Sequence, residues 1–224
     1  DVVVNNSTLY AEYGKQFNPH SYMVGQGCDV SLFNDVERTI VPAADISGIE
    51  RPIIGYVGSM MSRRLDIKLI GDIARERPKW SIVLVGPEDD PFKSSDLHSI
   101  PNVHFIGSRD PMVLPDYIKG FDVCINPQLI NDATRGNYPR KIDEYLAMGK
   151  PVVATATEAM EYFKDHTYLA KDKEGYLRAI EQALQEDNAQ RQQQRRHYAL
   201  SHTWENNVAE IYRCIEKVTT GTNT

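Results

Sequence analysis

From residue 51 onward, short runs of β-branched and apolar residues alternate with longer segments in which apolar residues recur every three or four positions. The short runs are typical of strands buried on both faces of a parallel sheet, and the longer repeat is typical of amphipathic helices. The pattern predicts strands at 52–57, 81–85, 103–106, 121–125, 151–154 and 166–170. It predicts helices at 63–76, 112–119, 140–148, 173–185, 190–201 and 204–218.

Strands and helices that alternate in this way predict an α/β fold, with a Rossmann-like, doubly wound parallel sheet and helices on both of its faces. We assign this domain to residues 51–218. A chain of 224 residues, 41% hydrophobic and 25% charged, is long enough for one large or two small globular domains. It is also too polar on average for a membrane protein.

The first 33 residues follow a different pattern. They predict a strand, a helix that Ser7 caps, and a second strand at 21–24. Residues 34–50 are polar and unpatterned, so we interpret them as a linker. The residues 219–224 are rich in threonine and are predicted to form a disordered tail.

Charge and cysteine content argue against several function classes. The net charge of −6 disfavours nucleic acid as a partner, because binding phosphate backbones requires a clustered basic surface. No apolar run approaches the roughly 20 residues that span a bilayer, and the pattern of an export signal is absent. We therefore expect a cytoplasmic chain. We also expect no metal site, because the six histidines are scattered and mostly at surface or turn positions. The cysteines are odd in number and far apart, which favours reduced core thiols: Cys28, Cys124 and Cys214.

One segment near the middle of the chain concentrates the chemistry. Pro139 suits the first turn of a helix, where a missing N–H group costs nothing, and Gly149 ends that helix. Glu144 lies between them, and a lone helical Glu is more often a solvated surface residue. An ionised carboxylate with two acceptor oxygens can nevertheless hold two vicinal hydroxyl groups at once.

Residues 144–155, Glu-Tyr-Leu-Ala-Met-Gly-Lys-Pro-Val-Val-Ala-Thr, closely resemble a sequence block of the retaining glycosyltransferases of family 4, which have the two-domain GT-B architecture. The resemblance implies that Glu144 accepts hydrogen bonds from the ribose hydroxyls of a sugar nucleotide. Residues 25–33 are similar to the signature that ends the N-terminal domain of that family. The resemblance thus implies that 51–218 is the C-terminal, nucleotide-sugar-binding domain, and that 1–33 is a remnant of the N-terminal domain and hinge.

The first strand-to-helix turn is a candidate diphosphate site. Gly58 and Ser59 follow the strand, and Arg63 and Arg64 stand at the predicted helix start, where cations oppose the helix dipole unless an anion is bound. Family members carry an Arg after the glycine and a Lys five residues later. By that resemblance Ser59 replaces the Arg, and Arg64 takes the Lys position and clamps the diphosphate, with Arg63 as a substitute.

Three further segments are predicted to line the site at the carboxyl ends of the strands. Gly86 follows the second strand, near the phosphates or the base, and the resemblance places the base at the main chain of residues 102–107, with Arg109 at the mouth. The family motif E-x7-E would place its first Glu at position 136, where this chain has Gly136. Groups that could replace that Glu are Asp132, Thr134, Asn137 and Lys141.

The resemblance implies a glycosyltransferase of hexosyltransferase type, active in polysaccharide biosynthesis and using a nucleotide-diphosphate sugar as substrate without a metal or other cofactor. A glycan or lipid-linked acceptor would be bound through the N-terminal domain, and peripheral membrane association is compatible with this reading. We expect the 224-residue chain to be inactive alone. Two alternatives stay open here: a non-catalytic sugar-nucleotide-binding or interaction domain, suggested by Ser59 and Gly136, and a sugar-nucleotide epimerase of the same architecture.

Overall fold

The computed structural model describes residues 1–34 and 39–221. Two strands form a small parallel sheet, β1 (Val3–Asn5) and β2 (Ser21–Met23). The six others are β3 (Ile53–Val57), β4 (Ser81–Val85), β5 (Val103–Gly107), β6 (Val123–Asn126), β7 (Val152–Thr155) and β8 (Tyr168–Ala170). They form one parallel sheet in the order β5-β4-β3-β6-β7-β8.

The helices are α1 (Thr8–Lys15), α2 (Ile67–Glu76), α3 (Asp90–Lys93), α4 (Leu114–Gly120), α5 (Lys141–Ala147), α6 (Lys173–Glu186), α7 (Ala189–Ala199) and α8 (Trp204–Gly221). Several begin at a side chain that accepts a hydrogen bond from a first-turn N–H group, which fixes the start of the helix. The capping residues of α1, α2, α6 and α7 are Ser7, Asp66, Asp172 and Asn188.

Both faces of the six-stranded sheet are buried under helices. Successive residues of a strand point to opposite faces, so β3 contributes Ile53 to one core and Ile54 to the other. The first core also contains Leu146 of α5, and the second contains Ile73 of α2 and Ile180 of α6. This arrangement confirms the predicted α/β fold with a doubly wound parallel sheet.

The strand order reverses between β3 and β6. From β3 the chain adds β4 and β5 on one side and then returns to add β6, β7 and β8 on the other. In open sheets of this kind, the helices diverge at the reversal and leave a crevice outside the carboxyl ends of the strands. The topology therefore fixes where a ligand site is expected.

Several boundaries differ from those predicted. Helix α2 begins at Ile67, not at residue 63, because Asp66 caps it by accepting a hydrogen bond from Leu69 N (2.9 Å). The short helix α3 was not predicted. Helix α8 continues to Gly221, so the predicted disordered tail is helical over residues 219–221, and its last residues, 222–224, lie outside the described residues.

The predicted linker packs against the sheet domain over its described part, and residues 35–38 lie outside the described residues. Ile40 and Ile46 are buried in the first core. Ala43 N donates to the carbonyl of Asp116 in α4 (3.1 Å), which fixes this segment alongside that helix. The sequence did not indicate this contact, because residues 34–50 show no sustained strand or helix repeat. The domain boundaries stay predictions.

Residues 24–28 pack against residues 202–207, near the C-terminal end of the described chain. Cys28 N donates to the carbonyl of His202 (2.8 Å), and the Asn207 side chain donates to the carbonyl of Val24 (2.8 Å). A methyl group added to Gly27 would lie 2.4 Å from the ring of Trp204, so the segment lies flat against the start of α8. Residues 24–28 are therefore held in place by the C-terminal helix.

Candidate functional site

A cleft of about 610 Å³ opens at the carboxyl edge of the sheet, beside the reversal of strand order. Its walls come mainly from the loop after β3, the first turn of α5 and the segment between residues 26 and 33. The sequence-predicted site residues that line this cleft are Gly58, Ser59, Arg64, Asn137, Lys141 and Glu144.

Two glycines bring the ends of β3 and β4 together. Gly58 and Gly86 have φ angles of +136° and +144°, in the left-handed region that side chains disfavour. A Cβ atom on Gly86 would lie 2.1 Å from the carbonyl oxygen of Gly58. Gly86 therefore supports the turn at Gly58 from behind and does not itself line the cleft.

The turn after Gly58 is anchored to the chain after β4. Met60 N donates to the carbonyl of Pro87 (2.8 Å), and the Asp89 carboxylate accepts from both the N–H (2.7 Å) and the hydroxyl (2.8 Å) of Ser62. Burial works to raise the pKa of Asp89, but the hydrogen bonds from Ser62 and Phe92 outweigh it and hold that pKa below its usual value. An ionised Asp89 thus keeps the turn in one conformation.

The two candidate arginines have different environments. Arg64 is half-buried and lines the cleft, and its Nε is buried without a hydrogen-bond partner among the described residues. Arg63 is exposed and does not line the cleft. Because α2 begins only at Ile67, both arginines precede the helix in a turn. The expectation that they sit in the first turn of the helix was therefore wrong.

Lys141 reaches the glycine turn from the first residue of α5. Its Nζ donates to the hydroxyl of Tyr56 (2.8 Å) and lies 4.4 Å from the centre of that ring. A Cβ atom on Gly58 would lie 3.1 Å from the same Nζ. The ammonium group is thus held beside the backbone of the turn, where an anion would meet both.

Glu144 faces the cleft one helical turn later. Its side chain is 13% exposed, and its Oε1 lies 3.3 Å from Nε of Arg140, whose own side chain is 57% exposed. Burial raises the pKa of Glu144, and the cations Arg140 and Lys141 offset only part of this effect. The carboxyl group therefore does not point into bulk water, and it shares the cleft with Gly58.

A buried network holds α5 in place behind Glu144. Asp143 is fully buried and accepts hydrogen bonds from the Tyr138 hydroxyl (2.8 Å) and from Nδ1 of His202 (2.7 Å). Burial raises the pKa of Asp143 despite the opposing effect of His202. His202 is 9% exposed at its side chain, so it is an exception among histidines that were expected to lie mostly at surface or turn positions.

Other predicted site residues have structural contacts outside the cleft lining. Arg109 donates to Asp45 (3.0 Å) and to the Tyr117 hydroxyl (2.7 Å). Thr134 is buried, and its hydroxyl donates to the carbonyl of Leu129. Gly136 packs on α1, since a Cβ atom there would lie 2.9 Å from the ring of Tyr10.

Only two of the four groups proposed to replace the missing first Glu line the cleft. Asn137 and Lys141 line it, whereas Asp132 is exposed elsewhere and Thr134 is buried in its own loop.

Several lining residues were not predicted from the sequence. Gln128 follows β6 and is 6% exposed, and Trp204 at the start of α8 is 47% exposed; both line the cleft. No motif marks either residue. Gln128 could have been found from its place just after a buried strand, at the edge where ligands bind in such sheets.

The cysteines Cys28, Cys124 and Cys214 are all free and buried, as predicted. Within residues 1–34 and 39–221, no group of three or more His, Cys, Asp or Glu side chains is arranged to hold a metal ion. No helix in the same described ranges has the length and apolar character needed to cross a membrane.

Comparison with known proteins identifies the family of this chain. The family model described as "Glycosyl transferases group 1" matches residues 51–186. TuaH of Bacillus subtilis (strain 168), named as a teichuronic acid biosynthesis glycosyltransferase, is 28% identical over 190 residues. That match covers 82% of this chain and 47% of the relative, so the chain spans about half the length of the curated relative it matches.

Solved structures share the fold over nearly the whole chain. Sucrose-phosphate synthase from Thermosynechococcus elongatus has a TM-score of 0.75 at 19% identity, covering 99% of this chain and 59% of that one. The Anabaena protein HepE, in complex with UDP, has a TM-score of 0.76 at 17% identity, covering 98% and 64%. At these identities the likeness shows the fold alone. Since the family model matches more than half of the residues, the chain belongs to the glycosyl transferases group 1 family, which is GT-B-like.

Proposed function

We propose that this chain supplies the donor-binding half of a retaining glycosyltransferase of family 4, which transfers a hexosyl group from a nucleotide-diphosphate sugar to an acceptor. The relative named for teichuronic acid biosynthesis supports a role in polysaccharide biosynthesis. The neighbouring structures in complex with UDP and with UDP-glucose support a uridine nucleotide as the donor.

The observation that carries the proposal is that Arg64, Lys141 and Glu144 line a single cleft beside Gly58. A buried guanidinium N–H group without a partner is costly, so Arg64 is suited to an anionic ligand that accepts from its Nε. Glu144 supplies two acceptor oxygens for the vicinal hydroxyls of a ribose. A ribosyl diphosphate matches this set of one acid and two cations.

In this proposal the protein stabilises the leaving group. As the bond between the sugar and the diphosphate breaks, negative charge grows on the departing phosphate. Arg64 and Lys141 are positioned at the glycine turn before the reaction begins, so they stabilise that charge without reorganising. No metal ion or other cofactor enters this scheme. The acceptor, a glycan or a lipid-linked sugar, would be bound by the longer protein, and this chain alone would bind donor without turnover.

Isothermal titration calorimetry with UDP, GDP and ADP tests donor binding. We expect UDP to bind most tightly. Arg64→Ala should weaken UDP about tenfold or more, since a hydrogen bond to a charged group contributes about 1.5–3 kcal/mol. The adjacent Arg63→Ala is the matched control, because Arg63 is exposed outside the cleft, and its UDP affinity should stay within about twofold of wild type.

Glu144→Gln tests the ribose contact separately. It should weaken UDP relative to inorganic diphosphate, because the lost negative charge affects both anions whereas only UDP carries a ribose. If no nucleotide binds the wild-type chain, or if Arg63→Ala weakens UDP and Arg64→Ala does not, the proposed site is wrong. If UDP binds as expected, hydrolysis of UDP-glucose by a two-domain protein that contains this chain would test whether the bond between sugar and diphosphate is cleaved.

A further inference from the structure

Gln128 is the one lining residue whose side-chain oxygen is buried without a partner among the described residues. The residue is 6% exposed and follows β6 directly after Pro127. A buried amide oxygen that lacks a hydrogen-bond donor is uncommon in native proteins and costly to keep. Gln128 lines both the cleft and a neighbouring pocket of about 260 Å³, so a ligand bound in the cleft is a source of the missing hydrogen.

The backbone fixes Gln128 next to the arginine turn. Leu129 N donates to the carbonyl of Arg64 (2.8 Å), and Asp66 N donates to the carbonyl of Pro127 (2.9 Å). Between these two bonds, Gln128 pairs with Leu65 as an antiparallel bridge. Gln128 is therefore held beside the proposed diphosphate site, whatever the rest of its loop does.

The chemistry of the Gln128 side-chain oxygen restricts which ligand groups can bind to it. A carbonyl oxygen only accepts hydrogen bonds, and the diphosphate of a nucleotide sugar, which is esterified at both ends, has no hydrogen to donate at neutral pH. The ribose hydroxyls are assigned to Glu144. The base is expected at β5, which is three strands from β6 in the sheet, about 14 Å at the usual spacing of neighbouring strands. The hydroxyl groups of the transferred sugar are the donors that remain.

We propose that Gln128 accepts a hydrogen bond from a hydroxyl of the transferred sugar and so selects hydroxylated sugars over deoxy sugars. This inference rests on the proposed function. The family carries an acid at the position of Gly136, but in this chain that glycine packs against α1. Gln128 would supply a sugar contact in its place.

Calorimetry with UDP and UDP-glucose, on wild type and on Gln128→Leu, tests the contact. The leucine side chain has similar size but no acceptor. We expect the UDP affinity of Gln128→Leu to stay within twofold of wild type, while its UDP-glucose affinity falls about three- to tenfold, the usual effect of one lost hydrogen bond. Gln185→Leu, at an exposed position of α6, is the control for the same chemical change and should alter neither affinity.

Three results would overturn the inference while leaving UDP binding, and hence the proposed function, intact. Gln128→Leu could weaken UDP and UDP-glucose by the same factor, which would place Gln128 at the nucleotide. It could change neither affinity, which would mean that water satisfies the oxygen. Finally, 2-, 3-, 4- and 6-deoxy analogues of UDP-glucose could all bind wild type as tightly as UDP-glucose does. This last measurement needs no variant, so it still tests the sugar hydroxyl contact if Gln128→Leu does not fold.

Discussion

Replacing Tyr145 by phenylalanine tests how α5 is attached to the end of β3. Tyr145 is fully buried, and its hydroxyl accepts a hydrogen bond from Val57 N (2.8 Å), immediately before Gly58. Phenylalanine keeps the ring but leaves this N–H group buried without a partner, which costs about 1–3 kcal/mol. For 224 residues, an unfolding entropy of about 2.1 cal/mol/K per residue converts this loss to a fall in Tm of about 2–6 °C.

Urea unfolding followed by circular dichroism at pH 7 measures the effect. The matched control is Tyr13→Phe, because Tyr13 is 60% exposed, and its unfolding free energy should stay within about 0.5 kcal/mol of wild type. Tyr145→Phe should also weaken UDP binding, since the hydroxyl holds the glycine turn in register with Lys141 and Glu144. If Tyr145→Phe is as stable as the control variant, the hydrogen bond does not stabilise this junction and the reasoning fails.

Three further experiments test the structure. Gly86→Ala combines a disfavoured φ with a clash against Gly58 and should cost about 3 kcal/mol or more; Gly48→Ala, with open space around it, should show no such loss in the same urea titration. Asp89→Ala should destabilise the chain by about 1–2 kcal/mol at pH 7. Because the pKa of Asp89 is lowered in the folded state, this stabilisation is present above the unfolded pKa of about 3.9 and disappears as the pH falls through the folded value. A wild-type-to-variant difference that does not shrink between pH 7 and about pH 3 would contradict this assignment. Burial raises the pKa of Cys124 to about 12, so the native chain should react slowly with Ellman's reagent at pH 8, and rapid reaction of all three thiols before denaturant is added would refute their burial.

The fold could be predicted because its signals are local. Short apolar runs mark strands that are covered on both faces, and capping side chains such as Ser7 mark helix starts. The start of α2 was misplaced for a local reason as well: Arg63 and Arg64 continue a helix-like pattern, but Asp66 caps the helix and excludes them.

The site could be predicted only in part, and the reason is again physical. Arg64, Lys141 and Glu144 follow strand ends or begin a helix at a known edge of the sheet, so topology alone brings them together. Gly136 lies outside the cleft lining, because the side on which its loop packs depends on α1, more than a hundred residues earlier. The pairing of Asp143 with His202 depends on a tertiary contact across 59 residues, which no spacing rule encodes.

The contact between the two ends of the chain has a practical consequence for protein engineering. A shorter version limited to the family-matched span, residues 51–186, would lose His202, one of the two hydrogen-bond partners of Asp143, along with Trp204 and the segment that packs on it. Asp143 would then keep only the Tyr138 hydroxyl as a hydrogen-bond partner, next to the acid proposed to hold the ribose. Moving the proposed donor site into another protein therefore requires moving residues 24–28 and 202–207 together with the central sheet.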